Sequence, residues 1–233
     1  MRLAVLLLLF PAGLAAATAI SVVHGAEGGN APTVAIVGDS LSWQADPSID
    51  TALSQSGYVT RMSVNPGHAL SSPWAQRQLS ADLQDRQIAI MVIETASNDS
   101  FEVARSAVSV NQYSNLLNGL ARAASGRCVV VVNAKVTVTP YYYQPDDALA
   151  VNRSIVESAI TNSNERIVNW NQDAQGHRSW FRTDLLHFTS SLPTPGSASV
   201  PTSLSNQSAG DRALAQAIVK GIRSCSRPRQ HKG

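Results

Sequence analysis

Charge is scarce in this chain. Only 15% of its 233 residues are Asp, Glu, Lys or Arg, and the two signs nearly cancel, 18 basic against 16 acidic, for a net charge of +2. A nucleic-acid binder needs a basic surface to displace counterions from phosphates, so that class of partner is excluded. Cysteines number two, too few for a disulfide scaffold or a four-cysteine zinc site. His24, His68, His177 and His231 show no H-E-x-x-H or comparable metal spacing, and neither a metal nor another cofactor is expected. No internal repeat is visible. Disorder is excluded by a hydrophobic fraction of 44% combined with the small net charge. A chain of this length suits one domain with its own core, here expected over residues 31–226.

A long uncharged stretch lies at the N-terminus, where Arg2 is followed by residues 3–23 with no charge and a greasy centre from Leu6 to Phe10. A positive start, a short Leu-rich segment and small residues at Ala15, Ala17 and Ala19 are the features of a cleaved signal peptide, assigned to residues 1–26. An uncleaved membrane anchor is the alternative, since the stretch approaches the roughly 20 residues that span a bilayer. Export to a secreted or cell-envelope location would put Cys128 and Cys225 in an oxidising compartment, where they are expected to pair. The basic 227–233 end reads as a solvated tail.

After a Gly-rich join at 25–30, apolar runs alternate with helical patterns, the signature of a parallel sheet flanked by helices. Five strands are expected, at 34–37, 58–64, 88–93, 128–133 and 166–170. The third and fourth are continuous apolar runs, as for central strands covered on both faces. Helices are expected near 48–56, 75–83, 103–124, 147–162 and 209–222; in the last, Leu214, Ile218 and Ile222 form one apolar stripe. Residues 188–209 break the pattern, with Pro193, Pro195, Gly196 and Pro201 excluding a long ordered element.

The first expected strand ends in Gly38-Asp39-Ser40-Leu41, placing Ser40 at the carboxyl end of a strand, where parallel sheets present ligand-binding residues. A serine there can be a nucleophile or simply a helix cap. Asp184-Leu185-Leu186-His187 spaces a carboxylate to hold one imidazole nitrogen while the other acts as general base, although such a pair also occurs on ordinary helix surfaces. Between them, Gly67 and Asn98 each follow a strand end. A glycine N–H and an asparagine amide, with the Ser40 N–H, could form an oxyanion hole.

In this ordered set the chain resembles the SGNH hydrolases, also called GDSL esterases and lipases. Gly38-Asp39-Ser40-Leu41 is similar to the family's first block, Gly67 to its second, Asn98-Asp99 to its third and Asp184-x-x-His187 to its fifth, over residues 34–222. The resemblance implies a flavodoxin-like three-layer α/β/α sandwich with a five-stranded, mainly parallel sheet. It also implies Ser40 as nucleophile, His187 as base, Asp184 as orienting acid, and Ser40, Gly67 and Asn98 as oxyanion donors. Two departures stand out: Ala96 replaces the third block's glycine, and the Ser/Pro-rich segment follows His187 where a helix usually starts, either as a lid or as a solvated insertion.

Trp43, His68, Tyr141 and Tyr142 are candidates for lining the substrate site, with Trp74 and Tyr143 nearby, although aromatics at such positions are often ordinary packing. Asn98, Asn152 and Asn206 head N-x-Ser sequons, discounted because a glycan on Asn98 would block the oxyanion hole. The expected activity is that of an exported serine esterase acting on a small-molecule, lipid or acylated-glycan ester, with no obligate protein partner. An acyltransferase or O-deacetylase using the same site, or a non-catalytic envelope binding module, are the alternatives.

Overall fold

A computed structural model describes residues 20–24, 31–139, 142–190 and 204–226. Residues 191–203 of the Ser/Pro-rich segment at 188–209, most of the leader and the basic tail lie outside the described residues.

Runs that are apolar on both faces form the middle of the sheet. β2 (Thr33–Gly38), β3 (Val59–Val64), β4 (Ile88–Glu94), β5 (Cys128–Val132) and β6 (Glu165–Val168) are all parallel, and Val34, Ile36, Val92, Val129 and Val130 are completely buried. The five expected strands are therefore present, within a residue or two of their expected ends. A sixth, β1 (Ile20–His24), pairs antiparallel with β3 at the sheet edge, inside the segment assigned to the leader. The strand order is β1-β3-β2-β4-β5-β6.

Helices cover both faces. α1 (Ser40–Gln55) packs on α7 (Ala209–Arg223) and β3, while α7 also covers β5 and β6. α2 (Pro73–Gln84) lies against β2 and β4; α3 (Ala96–Ala104) and α4 (Val110–Ala123) both pack on α5 (Pro145–Thr161). α6 (Trp170–Asp173) is a single turn after β6. The result is the three-layer α/β/α sandwich. The stripe Leu214, Ile218 and Ile222 is buried against the sheet, as its spacing requires.

Two helices differ from expectation. The first begins at Ser40 rather than near 48, because Asp39 caps it, its carboxylate accepting from the Leu41 N–H at 2.9 Å. Pro47 is carried inside the helix, flanked by buried Ala45, Asp46, Ser48 and Ile49. The expected 103–124 helix is two helices. Ser106 takes a left-handed φ of 58°, and Ser109 restarts the helix through a capping box with Gln112. Consequently Asn98 sits in the first turn of α3, not in a loop.

The strand reversal positions the site. From β2 the chain moves outward to β3, then returns across β2 to β4, so the loops after β3 and β4 diverge on either side of β2's carboxyl end. Register sharpens this, for Gly38 lies level with Val64 on one side and with Glu94 on the other.

Cys128, at the start of β5, is disulfide-bonded to Cys225 just beyond α7, across a sequence separation of 97 residues. Closing so long a loop restricts the unfolded chain and contributes about 2–4 kcal/mol. Cys225→Ser is expected to lower the unfolding free energy by about that amount while leaving the site assembled, to be measured by urea denaturation of reduced and oxidised protein beside the variant.

Candidate active site

Ser40 is the first residue of α1, lifted to the sheet edge by the β2 strand and the Asp39 cap. The sharp turn requires Gly38, since a Cβ there would come within 2.4 Å of the Ser42 Cβ. Opposite, Asp184 and His187 stand on the loop that the Phe181–Phe188 bridge closes, just after the Arg178–Trp180 turn. Ser40 Oγ lies 3.0 Å from His187 Nε2, and His187 Nδ1 lies 2.8 Å from Asp184 Oδ2. The three residues the spacing singled out thus form one continuous relay, each of them only partly buried.

The Asp184 loop is held by its own carboxylate. Asp184 Oδ1 accepts from the N–H groups of Leu186 and His187, both at 3.0 Å. Burial opposes the charge on Asp184, but the His187 hydrogen bond, the two backbone donors and the nearby imidazole outweigh it and hold the carboxyl below its ordinary value. The turn is strained: Leu185 has φ 62°, a left-handed conformation costing an L-residue roughly 1–2 kcal/mol. Beyond His187, the Arg182 guanidinium donates to the carbonyls of Phe188 and Ser190 at 2.8 and 2.6 Å. Gln44 of α1 exchanges bonds with the Phe188 backbone, its Oε1 accepting at 3.2 Å and its Nε2 donating at 3.4 Å. The chain is therefore fastened to α1 immediately after the histidine.

Oxyanion chemistry needs donors aimed at the nucleophile. Gly67 has φ 82°, which a residue with a Cβ adopts only at a cost, and a Cβ there would meet nothing within 4 Å. Neither the Ser40 N–H nor the Gly67 N–H donates to an acceptor among the described residues. Asn98 Nδ2 donates to Asp39 Oδ2 at 2.8 Å, which binds the Asn98 side chain to the residue preceding Ser40 and leaves its second amide hydrogen for another acceptor. Ala96 does not disturb this arrangement. It is the first residue of α3, buried, with no positive φ that would demand glycine.

Beneath Ser40, Gly67 and Asn98 lies an acidic cluster of Asp39, Glu94 and Asp99, of which sequence reasoning missed Glu94. Glu94 ends β4 fully buried, accepting from the Ser42 N–H at 3.1 Å and the Ser42 hydroxyl at 2.8 Å. Burial, then the adjacent Asp39 charge, push the Glu94 carboxyl well up, so it stays protonated and donates to Asp39. Asp39 is itself raised by burial, but it accepts from Leu41, Glu94 and Asn98 and feels the His187 charge. Asp99 is buried too and pushed up to about 8; it accepts from the Leu70 N–H and the Thr95 hydroxyl, both at 2.8 Å, and so ties the Gly67 loop to α3. The one signal in sequence was an acid at the end of an otherwise apolar strand, Ile88-Ala89-Ile90-Met91-Val92-Ile93-Glu94.

The expected lining residues divide. Tyr142 presents an edge to His187, with ring centroids 5.7 Å apart, and a second edge contact to Phe101 at 6.2 Å. His68 tilts against Trp74 at 5.3 Å, and burial, helped by Arg77, lowers its pKa. Trp43 packs against the hydrophobic core. Tyr143 is a core residue whose hydroxyl donates to the Lys135 carbonyl at 2.9 Å. Tyr141 lies outside the described residues. The Asn98 and Asn152 side-chain amides are engaged within the protein, Asn152 bonding both the N–H and the carbonyl of Ala134 at 2.8 Å. No group of three or more His, Cys, Asp or Glu that could hold a metal occurs among the described residues.

Glu94→Gln retains a donor for Asp39 and an acceptor for Ser42, and is expected to fold with near-normal stability. Glu94→Ala strands a buried carboxylate and should cost about 1–3 kcal/mol or more, measured by denaturant unfolding of the two variants side by side.

No protein-family model matches the chain. Over 155 residues it is 26% identical to a protein of Staphylococcus aureus (strain MSSA476) named as an O-acetyltransferase, an alignment covering 65% of this chain and 22% of the relative. The chain thus spans about a fifth of the length of the curated relatives it matches. Among solved structures, the C-terminal catalytic domain of Streptococcus pneumoniae peptidoglycan O-acetyltransferase A, which carries a methylsulfonyl adduct, superposes with a TM-score of 0.59 at 20% identity, over 84% of this chain and 96% of that one. TesA superposes with a TM-score of 0.59 at 18% identity, covering 83% and 99% of the two chains. A lipase/acylhydrolase from Enterococcus faecalis reaches 0.61 at 12% identity, covering 85% and 98%. The fold of this chain is therefore the one these acyltransferase, TesA and lipase/acylhydrolase structures share.

Proposed function

We propose that the protein is an exported serine hydrolase of carboxylic esters, working through an acyl-enzyme on Ser40. The observation that carries this reading is the unbroken Ser40–His187–Asp184 relay, at 3.0 and 2.8 Å. His187 Nε2 takes the Ser40 proton as Oγ bonds to the acyl carbon, and the carbonyl electrons move onto its oxygen. The N–H groups of Ser40 and Gly67 and the Asn98 amide stabilise that oxyanion. Collapse breaks the ester C–O bond and His187 returns the proton to the departing alkoxide; an incoming water, deprotonated by His187, then attacks the acyl carbon, the bond to Oγ breaks, His187 gives that proton back to Ser40 and the acid leaves. Asp184, kept ionised, offsets the charge that His187 acquires in each step.

A second reading keeps the acyl-enzyme and replaces water by a glycan hydroxyl, making the protein an O-acetyltransferase. It is favoured by the names of the Staphylococcus aureus relative and the Streptococcus pneumoniae domain. Location is supported by the leader pattern and by the Cys128–Cys225 disulfide, which an exported protein retains. Cleavage after Ala17 or Ala19 would leave β1 on the mature chain, whereas cleavage after residue 26 would remove it.

The test is a fluorophosphonate probe followed by peptide mass spectrometry. A covalent adduct on Ser40 that disappears in His187→Ala is expected, with Ser40→Ala lowering ester turnover by about a thousandfold or more. Folded protein that gives no adduct, or Ser40→Ala with undiminished turnover, would overturn the assignment and leave the binding-module alternative. Product analysis with an added sugar alcohol separates the two enzymatic readings: free acid alone marks a hydrolase, an acylated sugar a transferase.

A further inference from the structure

We propose that Lys135 is a positioning residue for the Asp184–His187 pair: its ammonium, donating to the Leu185 carbonyl, pins the left-handed turn that aims the carboxylate at the imidazole. The proposal rests on the reading of Ser40, His187 and Asp184 as an acyl-transfer relay.

The peptide unit joining Leu185 to Leu186 has both polar ends committed. Its N–H donates to Asp184 Oδ1 at 3.0 Å, and its carbonyl accepts from Lys135 Nζ at 2.8 Å. That peptide therefore bridges the relay's carboxylate to a lysine 50 residues away in sequence. Leu185 is one of only two non-glycine residues with positive φ among those described, and such a conformation persists where its surroundings over-determine it. Without Lys135 the peptide keeps only its bond to Asp184, and rotation that relaxes the strain at Leu185 would withdraw the Leu186 N–H from the carboxylate. Asp184 would then lose one of the two backbone donors that orient it.

Lys135 is itself built into place. Asn152 bonds both backbone groups of the preceding Ala134, Asn171 Oδ1 accepts from the following Val136 N–H at 2.7 Å, and the Tyr143 hydroxyl donates to the carbonyl of Lys135 at 2.9 Å. The ammonium lies over the Phe181 ring, 4.0 Å from its centroid, so its stem and charge are both supported. The charged and titratable groups around it are Arg178, which repels it, and Asp184, which attracts it; beyond Asp184 stand His187 and Tyr142, while Arg182 is turned to the Phe188 and Ser190 carbonyls. Burial, reinforced by Arg178 and opposed by Asp184, pulls Lys135 down to about 8. The turn is thus held by a charge that is lost in mildly alkaline solution, and a neutral amine makes a weaker bond to the carbonyl than an ammonium does.

The experiment measures the rate of fluorophosphonate labelling of Ser40 against pH in wild type, Lys135→Met and Lys135→Arg, each first verified to unfold cooperatively. Wild-type labelling is expected to decline as pH climbs past about 8. Lys135→Met should label on the order of ten- to a hundredfold more slowly at neutral pH, with no further decline in alkali, because the relay is displaced whatever the pH. Lys135→Arg should recover most of the neutral rate and lack the alkaline decline, since a guanidinium keeps its charge. Lys135→Met labelling at the wild-type rate with the wild-type profile would overturn the proposal, as would equal losses in both variants. A wild type that does not label Ser40 at all overturns the acyl-enzyme reading itself, an outcome distinct from either of these.

Discussion

Three segments of this chain leave the sheet at one point because Gly38 is level with both Val64 and Glu94, and that register constrains everything else in the site. β2 carries Ser40, the loop after β3 carries Gly67, and the turn into α3 carries Asn98. None of them could face the others if the strand order did not reverse at β2. The fourth contribution, from the Asp184 to His187 loop, arrives from the far end of the chain and is fastened to α1 through Gln44. Ser40 and His187 are thus delivered by different parts of the fold and meet across the first turn of one helix.

Buried acids hold this meeting point together. Asp39, Glu94 and Asp99 each join two elements: Asp39 joins α1 to α3 through Asn98, Glu94 joins β4 to α1 through Ser42, and Asp99 joins α3 to the Gly67 loop through Leu70. Carboxyls suit this work because each accepts several hydrogen bonds, and two of these three stand where a helix begins, where negative charge is favoured. Burial raises all three carboxyls, Glu94 well above its ordinary value and Asp99 to about 8. A protonated Glu94 gives Asp39 a donor instead of a second negative charge.

Much of the architecture was legible. Continuous apolar runs located the inner strands, since only a strand covered on both faces has no need to alternate. The four-residue spacing of Leu214, Ile218 and Ile222 located α7 and its buried face. Where local pattern misled, the start of α1 at Ser40 rather than near 48 was set by the Asp39 cap, whose carboxylate accepts from the Leu41 N–H. The break at Ser106 left no mark in the apolar pattern, so two helices read as one. Ser40, Asp184, His187, Gly67 and Asn98 were recognisable because each follows a strand or forms a short local motif. Glu94, Gln44, Arg182 and Lys135 were not, for their partners are distant in sequence and nothing in their neighbours announces them.

The sequence by itself determined the kind of protein: an α/β chain with too little charge for nucleic acid, a leader pattern, two cysteines able to pair, and residues suited to acyl chemistry in a fixed order along the chain. These follow from composition and from interactions among near neighbours, which a linear sequence records. Tertiary structure alone decided that Ser40 Oγ would stand 3.0 Å from His187 Nε2, which carboxyl in the core would keep its proton, and how a strained turn at Leu185 would be held by Lys135. Those outcomes depend on distance and burial between residues remote along the chain, because hydrogen bonding and desolvation act only once folding has brought the groups together.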